Sequence, residues 1–238
     1  MSEMRKQEGH QEAVRVHRKN VAEELIQRKE ARLAGTAILL GDSIIDNALY
    51  VGPGGRDVAS YVGEFAGDID VEMRARDGSR CVEVLREQLD RRPPADARLV
   101  LSVGGNDALA EIGRLNSLDK LTFAEAMIAL REIREGFRAG YRELLDTVAA
   151  FERPVLVLTI YNPRFGLLDS SEEEQWAAEG ALSAFNDVIQ QEASRRGFDV
   201  LDIRHVFVED GDYYNPIEPS EGGGRKLAAA IAGWLASH

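Results

Sequence analysis

Residues 36–43 read Thr-Ala-Ile-Leu-Leu-Gly-Asp-Ser, an apolar run that ends in a glycine, an acid and a hydroxyl. The run lacks polar alternation, which is typical of a parallel strand that is covered on both faces. A hydroxyl directly after such a strand lies at its carboxyl end, where free backbone N–H groups can stabilise an oxyanion. The segment therefore predicts a buried first strand that presents Ser43 as a candidate nucleophile.

Four further apolar runs follow, and helical patterns separate them. The runs are Ile69–Ala75, Arg98–Val103, Val155–Ile160 and Asp199–Ile203. The helical patterns cover Val58–Phe65, Cys81–Leu89, Thr122–Ala150, Ser171–Arg196 and Ser220–Ala236. Strands that alternate with helices predict an α/β fold: a doubly wound, parallel five-stranded sheet with right-handed crossovers, in a three-layer α/β/α sandwich. In such sheets, ligands bind beyond the carboxyl ends of the strands.

The longest helical pattern has apolar residues at spacings of three, four and seven. A single apolar stripe is expected from Phe123, Met127, Leu130, Phe137, Tyr141, Leu144 and Val148. Thr122 with Glu125, and Ser171 with Glu174, have the spacing of a capping box, which predicts helix starts at those positions.

Polar loops follow every predicted strand. They include Ser43, the segment Arg76–Ser79, the segment Gly104–Asp107, the segment Tyr161–Arg164 and the loop Asn215–Gly224. Because the carboxyl ends of parallel strands meet at one edge of the sheet, these loops predict a single site. The Ser43 N–H, the Gly78 N–H and the Asn106 side-chain amide are expected to converge on an oxyanion. In known acyl-transfer enzymes each such donor is worth roughly 3–4 kcal/mol.

Three of these loops resemble the motif blocks of the SGNH/GDSL hydrolases. Gly41-Asp42-Ser43 matches the nucleophile block, Gly78 the glycine block and Gly104–Asp107 the Gly-x-Asn-Asp block. The resemblance runs from about Thr36 to the C-terminus, and it looks like a bacterial, non-secreted branch. It implies a flavodoxin-like α/β/α fold and hydrolysis of small esters or a related acyl transfer. The expected partner is a small-molecule ester or acyl substrate, and no cofactor is expected.

The last motif block departs from that family. The family has Asp-x-x-His where this chain has Asn215-Pro-Ile-Glu218. The resemblance puts Glu218 in the position of the base and Asn215 in the position that orients it. An ordinary glutamate, with a pKa near 4.3, is a poor base for a serine, although burial raises the pKa. Slow or specialised hydrolysis and loss of activity both remain open.

Five further residues are candidates for substrate contact: Asp42, Asp107, Tyr161, Arg164 and His205. Arg164 has two readings, an anion-binding residue or a salt bridge to a surface acid. Tyr161 either shapes the pocket or packs at the edge of the core. His205 has the family's Asp-x-x-His spacing but comes about a dozen residues early, and the alternative is an exposed loop histidine. His10, His17 and His238 lie near the termini, and no metal-ligand spacing is found.

The composition excludes several classes of partner. A net charge of −12 argues against nucleic acid and anionic membranes. No apolar segment approaches the roughly 20 residues that a membrane span requires. The residues before Leu33 mix acids with bases and lack the apolar core of a secretory signal, so a cytoplasmic location is expected. The single cysteine, Cys81, cannot form an internal disulfide, which fits a reducing compartment.

The chain divides into an N-terminal helical extension at 1–34 and a hydrolase-like domain at 35–238. Val14, Val21 and Leu25 have heptad-like spacing, which suggests a helix packed on the domain or on a second copy, the latter giving a homo-oligomer. The alternative is a solvated, partly frayed helix. Two alternatives to an enzyme remain. One is a ligand-binding module that keeps the pocket without turnover, and the other is a protein that oligomerises through its N-terminal helix.

Overall fold

The computed structural model describes residues 35–168 and 171–238. The predicted N-terminal extension, with His10 and His17, lies outside these residues. The strands are β1 (Gly35–Gly41), β2 (Ile69–Met73), β3 (Ala97–Ser102), β4 (Val155–Leu158), β5 (Asp199–Leu201), β6 (Tyr213–Asn215) and β7 (Glu218–Pro219). The helices are α1 (Val58–Ala66), α2 (Cys81–Glu83), α3 (Gly105–Ala110), α4 (Ile112–Leu115), α5 (Phe123–Ala149), α6 (Glu172–Arg195) and α7 (Glu221–Leu235).

Five strands form a parallel sheet with the order β2-β1-β3-β4-β5. The prediction of a doubly wound, parallel five-stranded sheet is therefore confirmed. The chain moves to one side of β1 to form β2 and to the other side to form β3. The sheet thus has its topological switch point between β1 and β3, where ligands bind in folds of this type.

Alternate residues of β1 point to opposite faces of the sheet and pack in two separate hydrophobic cores. Ile38 and Leu40 lie in the core that α5 and α6 cover. Ala37 and Leu39 lie in the core that α1 and α7 cover. All four side chains are completely buried, as the uninterrupted apolar run predicts for a strand covered on both faces. The three-layer α/β/α sandwich is confirmed.

The apolar stripe predicted along α5 is only half correct. Its second half is buried from Ile133 onward, against the strands and α6. Phe123 is 80% exposed and Met127 is 45% exposed, because the first turns of α5 do not pack on the sheet core. Both predicted capping boxes, at the starts of α5 and α6, are confirmed.

The helix predicted over Cys81–Leu89 is wrong in detail. Helix α2 lasts only three residues and continues as a π-helical turn over Val84–Gln88. Such turns often occur at functional sites. The short helices α3 and α4 and the β6–β7 hairpin were not predicted from the sequence. Within residues 35–168 and 171–238, no helix is long and apolar enough to cross a membrane.

Candidate active site

The turn that follows β1 presents Ser43. Gly41 has a φ of +136°, and a Cβ there would lie 1.8 Å from the Ser102 carbonyl oxygen, so only glycine fits. The Asp42 N–H donates to that same carbonyl at 3.1 Å. The Asp42 carbonyl then accepts from the N–H groups of Ile45 and Asp46, which closes one tight turn. Within the described ranges the Ser43 N–H has no acceptor, so it remains free to bind a ligand.

Gln88 holds the end of β1 in place. Its Oε1 accepts from the Gly41 N–H at 2.8 Å, and its Nε2 donates to the Gly41 carbonyl at 2.8 Å. The same nitrogen also donates to the Ser79 hydroxyl at 3.1 Å. The amide of Gln88 is thus the acceptor for the Gly41 N–H, and it shares the Gly41 carbonyl with the Arg76 N–H, which donates to it at 3.0 Å. Sequence reasoning missed this residue, because its inward position depends on the π-helical turn.

Asn106 approaches Ser43 from the neighbouring strand. It follows β3 in the first turn of α3, and both residues line the same pocket. Its Nδ2 donates to the Ser79 carbonyl at 3.2 Å. An amide nitrogen carries two N–H donors, so a second donor is left to face a ligand.

Gly78 lies in the loop after β2, with a φ of +77°. Its N–H has no acceptor among the residues that the structure describes. It does not line the pocket that contains Ser43 and Asn106. The adjacent Asp77 lies close enough for its charge to act on Glu218. Ser43 and Asn106 therefore line the same pocket, whereas Gly78 lies in the loop after β2 and does not line it.

Glu218 lies in β7 and is 9% exposed. Burial raises the pKa of its carboxyl group to about 7. The Ser43 side chain, as a hydrogen-bond donor, lowers this pKa, whereas the negative charge of Asp77 raises it further. Its Oε2 has no partner of standard hydrogen-bond geometry in the described part of the chain. A carboxyl group with a pKa near 7 is about as basic as an imidazole, whose ordinary pKa is about 6.5.

The β6–β7 hairpin positions Glu218. Asn215 pairs with Glu218 across the hairpin, and its Oδ1 accepts from the Ile217 N–H at 3.0 Å. Tyr161, a predicted substrate contact, is buried, lines the pocket and donates its hydroxyl to the Ile217 carbonyl. Asn215 therefore shapes the turn that carries Glu218, while a direct orienting bond between the two side chains stays a prediction.

Two acids surround the nucleophile turn. Burial raises the pKa of Asp42 to about 8. The hydrogen bond from the Ile44 N–H lowers this pKa, whereas the charges of Glu218 and Asp107 raise it further. Asp42 lines the pocket, whereas Asp107 does not. The Asp107 carboxylate instead accepts from the backbone N–H of Cys81, at 3.2 Å to the nearer oxygen. Asp107 thus ties the start of α2 to α3.

The remaining predicted contacts lie outside the pocket. The Arg164 guanidinium donates to the Val208 carbonyl and lies 3.7 Å from Asp210, which corresponds to the salt-bridge reading. His205 has a side chain that is 86% exposed, 4.0 Å from Asp202, as the loop reading expected. His238 stacks on Trp234. In the described ranges no imidazole lines the pocket, and no cluster of His, Cys, Asp and Glu could hold a metal ion.

A pocket that is partly open to solvent extends from Ser43, Asn106 and Glu218, and it encloses about 870 Å³ when the open solvent at its mouth is included. Its wall comes from α3, α4, the segment after β4 and α6. Apolar side chains make up most of it, among them Val103, Leu109, Ile112, Ile160, Leu182 and Phe185. Sequence reasoning missed this wall. Leu109, Ile112 and Leu115 have helical spacing, which was the available signal.

Comparisons with known proteins identify the family and the fold of the chain. The sequence profile of the GDSL-like lipase/acylhydrolase family matches residues 39–224. Among solved structures, similar folds include an extracellular lipase from Streptomyces rimosus (TM-score 0.63, 19% identity, 85% of this chain and 99% of the lipase covered). A phospholipase A1 from Streptomyces albidoflavus NA297 has a TM-score of 0.65 at 19% identity, with 85% and 99% covered.

An acetyl xylan esterase from Geobacillus stearothermophilus also has this fold, with a TM-score of 0.57 at 15% identity and with 85% of this chain and 96% of the esterase covered. At these identities the structural likeness supports the fold alone. Among curated protein sequences, none matches the chain significantly.

Proposed function

The chain belongs to the GDSL-like lipase/acylhydrolase family and is an ester hydrolase; we propose that it cleaves small esters, or transfers their acyl groups, with Ser43 as nucleophile and Glu218 as general base. The observation that carries this proposal is that Ser43 and Glu218 line the same pocket, where burial raises the pKa of the Glu218 carboxyl group to about 7 and the nearby Ser43 side chain opposes that rise. A nucleophile beside a base of suitable pKa is the minimal requirement for serine catalysis.

In the first half of the reaction, the Ser43 oxygen attacks the acyl carbon while its proton passes to Glu218. The carbonyl oxygen becomes an oxyanion, which receives hydrogen bonds from the Ser43 N–H and from the Asn106 amide. The Gly78 N–H is the third proposed donor. Protonated Glu218 then gives its proton to the departing alkoxide, which leaves as an alcohol and yields an acyl-serine.

In the second half, Glu218 takes a proton from water, and the resulting hydroxide attacks the acyl-serine. The same donors stabilise the second oxyanion. Collapse returns the proton from Glu218 to the Ser43 oxygen and releases the carboxylic acid. An acceptor alcohol in place of water would make the reaction an acyl transfer.

Burial gives Glu218 the basicity that histidine supplies in the Asp-x-x-His pattern. Imidazole needs an anionic neighbour to stabilise its charged form. Glu218 is neutral once it holds the proton, so an aspartate at position 215 would only repel its ionised form. Asn215, which is uncharged, avoids this repulsion and still holds the turn through its bond to the Ile217 N–H.

The test compares the wild type with Ser43→Ala on short-chain p-nitrophenyl esters. Ser60→Ala is the matched control, since Ser60 is exposed on α1. We expect Ser43→Ala to lose hydrolysis and to lose labelling by a fluorophosphonate, read by mass spectrometry. Equal rates in the wild type and Ser43→Ala would rule out serine chemistry, and binding of an ester without product would indicate a binding module.

A further inference from the structure

We infer, on the basis of the proposed ester hydrolysis, that the acyl group is an uncharged, apolar chain longer than acetyl. It would occupy the pocket between α3–α4 and α6, and Ala178 and Ala181 would set the length that fits.

The wall beyond the reacting groups is mostly apolar. Val103 and Phe185 are buried in the core beneath it. Leu109 and Ile112 line the pocket and are 42% and 48% exposed, so the pocket also opens through an apolar mouth. A hydrocarbon chain gains free energy from such a wall, in proportion to the apolar area that leaves water.

The charges of the pocket disfavour an anionic substrate. No Lys, Arg or His lines it among the described residues. The ionisable side chains at its reacting end are both acids, Asp42 and Glu218. A carboxylate or phosphate on the acyl chain would be buried beside these acids without a cation, which is costly.

A sugar-like acyl or alkyl group also finds few partners along this wall. Thr159 is one of the polar residues of the lining, but its hydroxyl already donates to Asp202 and accepts from the Ile203 N–H. Ser102 is 2% exposed, so very little of its surface is accessible to a ligand. Buried hydroxyls without partners destabilise a complex, so the pocket selects for hydrocarbon.

Two small residues leave the space that a chain requires. Ala178 and Ala181 are half-buried, one turn apart on α6, and both line the pocket beside the larger Leu182 and Phe185. A leucine at either position would occupy part of that volume. Ala177 is exposed on the same helix and does not line the pocket, so Ala177→Leu makes the same change outside it.

The experiment measures kcat/KM for p-nitrophenyl acetate, butyrate, hexanoate, octanoate and decanoate. For the wild type, kcat/KM should rise by up to about fourfold for each methylene that the pocket buries, and then level off. Ala178→Leu and Ala181→Leu should each lower the octanoate-to-acetate ratio by about tenfold or more. Ala177→Leu should keep the wild-type ratio, and thermal unfolding shows that each variant is folded.

The outcomes separate this inference from the proposed function. If Ser43-dependent hydrolysis is fastest with acetate and neither pocket variant changes the ratio, the inference is overturned and the hydrolase stands. If no ester is cleaved, the proposed function fails, and thermal unfolding with methyl octanoate then decides the inference. Stabilisation of the wild type that Ala181→Leu abolishes would support an apolar chain site, and absence of stabilisation would overturn it.

Discussion

The substitution Glu218→Gln tests both the chemistry and the energetics of the site. The pKa of Glu218 rises from its ordinary 4.5 to about 7 in the folded protein, chiefly because of burial. A difference of about 2.5 in pKa corresponds to about 3 kcal/mol of linkage free energy. Glutamine keeps the shape and can still accept the Ser43 hydrogen bond, but it cannot take a proton.

The sign of the stability effect follows from the raised pKa. Below pH 4.5 the carboxyl group is protonated in both states, and ionisation contributes nothing. Between about pH 4.5 and pH 7 the unfolded chain releases the proton while the fold retains it, so the wild type loses stability as the pH rises. About 2 kcal/mol of this loss develops between pH 5 and pH 7.5. Glu218→Gln has no carboxyl group at position 218 and does not lose this stability. The difference in unfolding free energy between Glu218→Gln and the wild type should therefore increase by about 2 kcal/mol, in favour of the variant, from pH 5 to pH 7.5.

The effect on catalysis has the opposite sign. Removing a general base typically costs about 10²–10⁴ in rate, so Glu218→Gln should be the more stable and the less active protein above pH 7. Wild-type kcat/KM should rise with pH around a midpoint near 7, as the base ionises.

The assays are urea unfolding at pH 5 and pH 7.5, and ester hydrolysis across the same range. Glu143→Gln is the matched control, because Glu143 is exposed on α5 and should show neither effect. Two results would refute the reasoning: full activity of Glu218→Gln at every pH, or a stability difference from the wild type that does not change between the two pH values.

Three further predictions concern the surroundings of Ser43. Asn215→Asp keeps an acceptor for the Ile217 N–H but adds a second negative charge beside Glu218. The midpoint of the pH profile of kcat/KM should therefore move above pH 7, and an unchanged midpoint would contradict this. Gln88→Leu leaves the Gly41 N–H without its acceptor, while the Gly41 carbonyl keeps the bond from the Arg76 N–H. It should lower the unfolding free energy, measured in urea, by about 1–3 kcal/mol, and no measurable loss would mean that another group replaces the amide. Burial raises the pKa of the Cys81 thiol well above its ordinary value, so native protein should resist a disulfide reagent at pH 8 until it unfolds, and rapid labelling of folded protein would contradict that burial.

The main elements of the fold could be predicted from short-range patterns. An apolar run without alternation marks a strand covered on both faces, and the capping boxes at Thr122 and Ser171 mark helix starts, because both signals arise within a few residues. The rule that parallel strands end at one edge of the sheet then explains why Ser43 and Asn106 come together, while the separate β6–β7 hairpin brings Glu218 to the same pocket. Their roles in catalysis remain predictions that the experiments above address.

The properties that make these residues a site depend on contacts between distant segments. The pKa of Glu218 follows from the burial of its side chain in the β6–β7 hairpin, to which the Tyr161 hydroxyl is bonded at the Ile217 carbonyl. Arg164 turns to Val208 and Asp210 because that loop packs next to it, and no sequence spacing indicates this. The apolar pocket likewise forms only where α3, α4 and α6 meet. Local sequence determines where strands and helices begin and which residues the strand ends present, while desolvation and packing, which involve residues far apart in the chain, decide their ionisation and what they can bind.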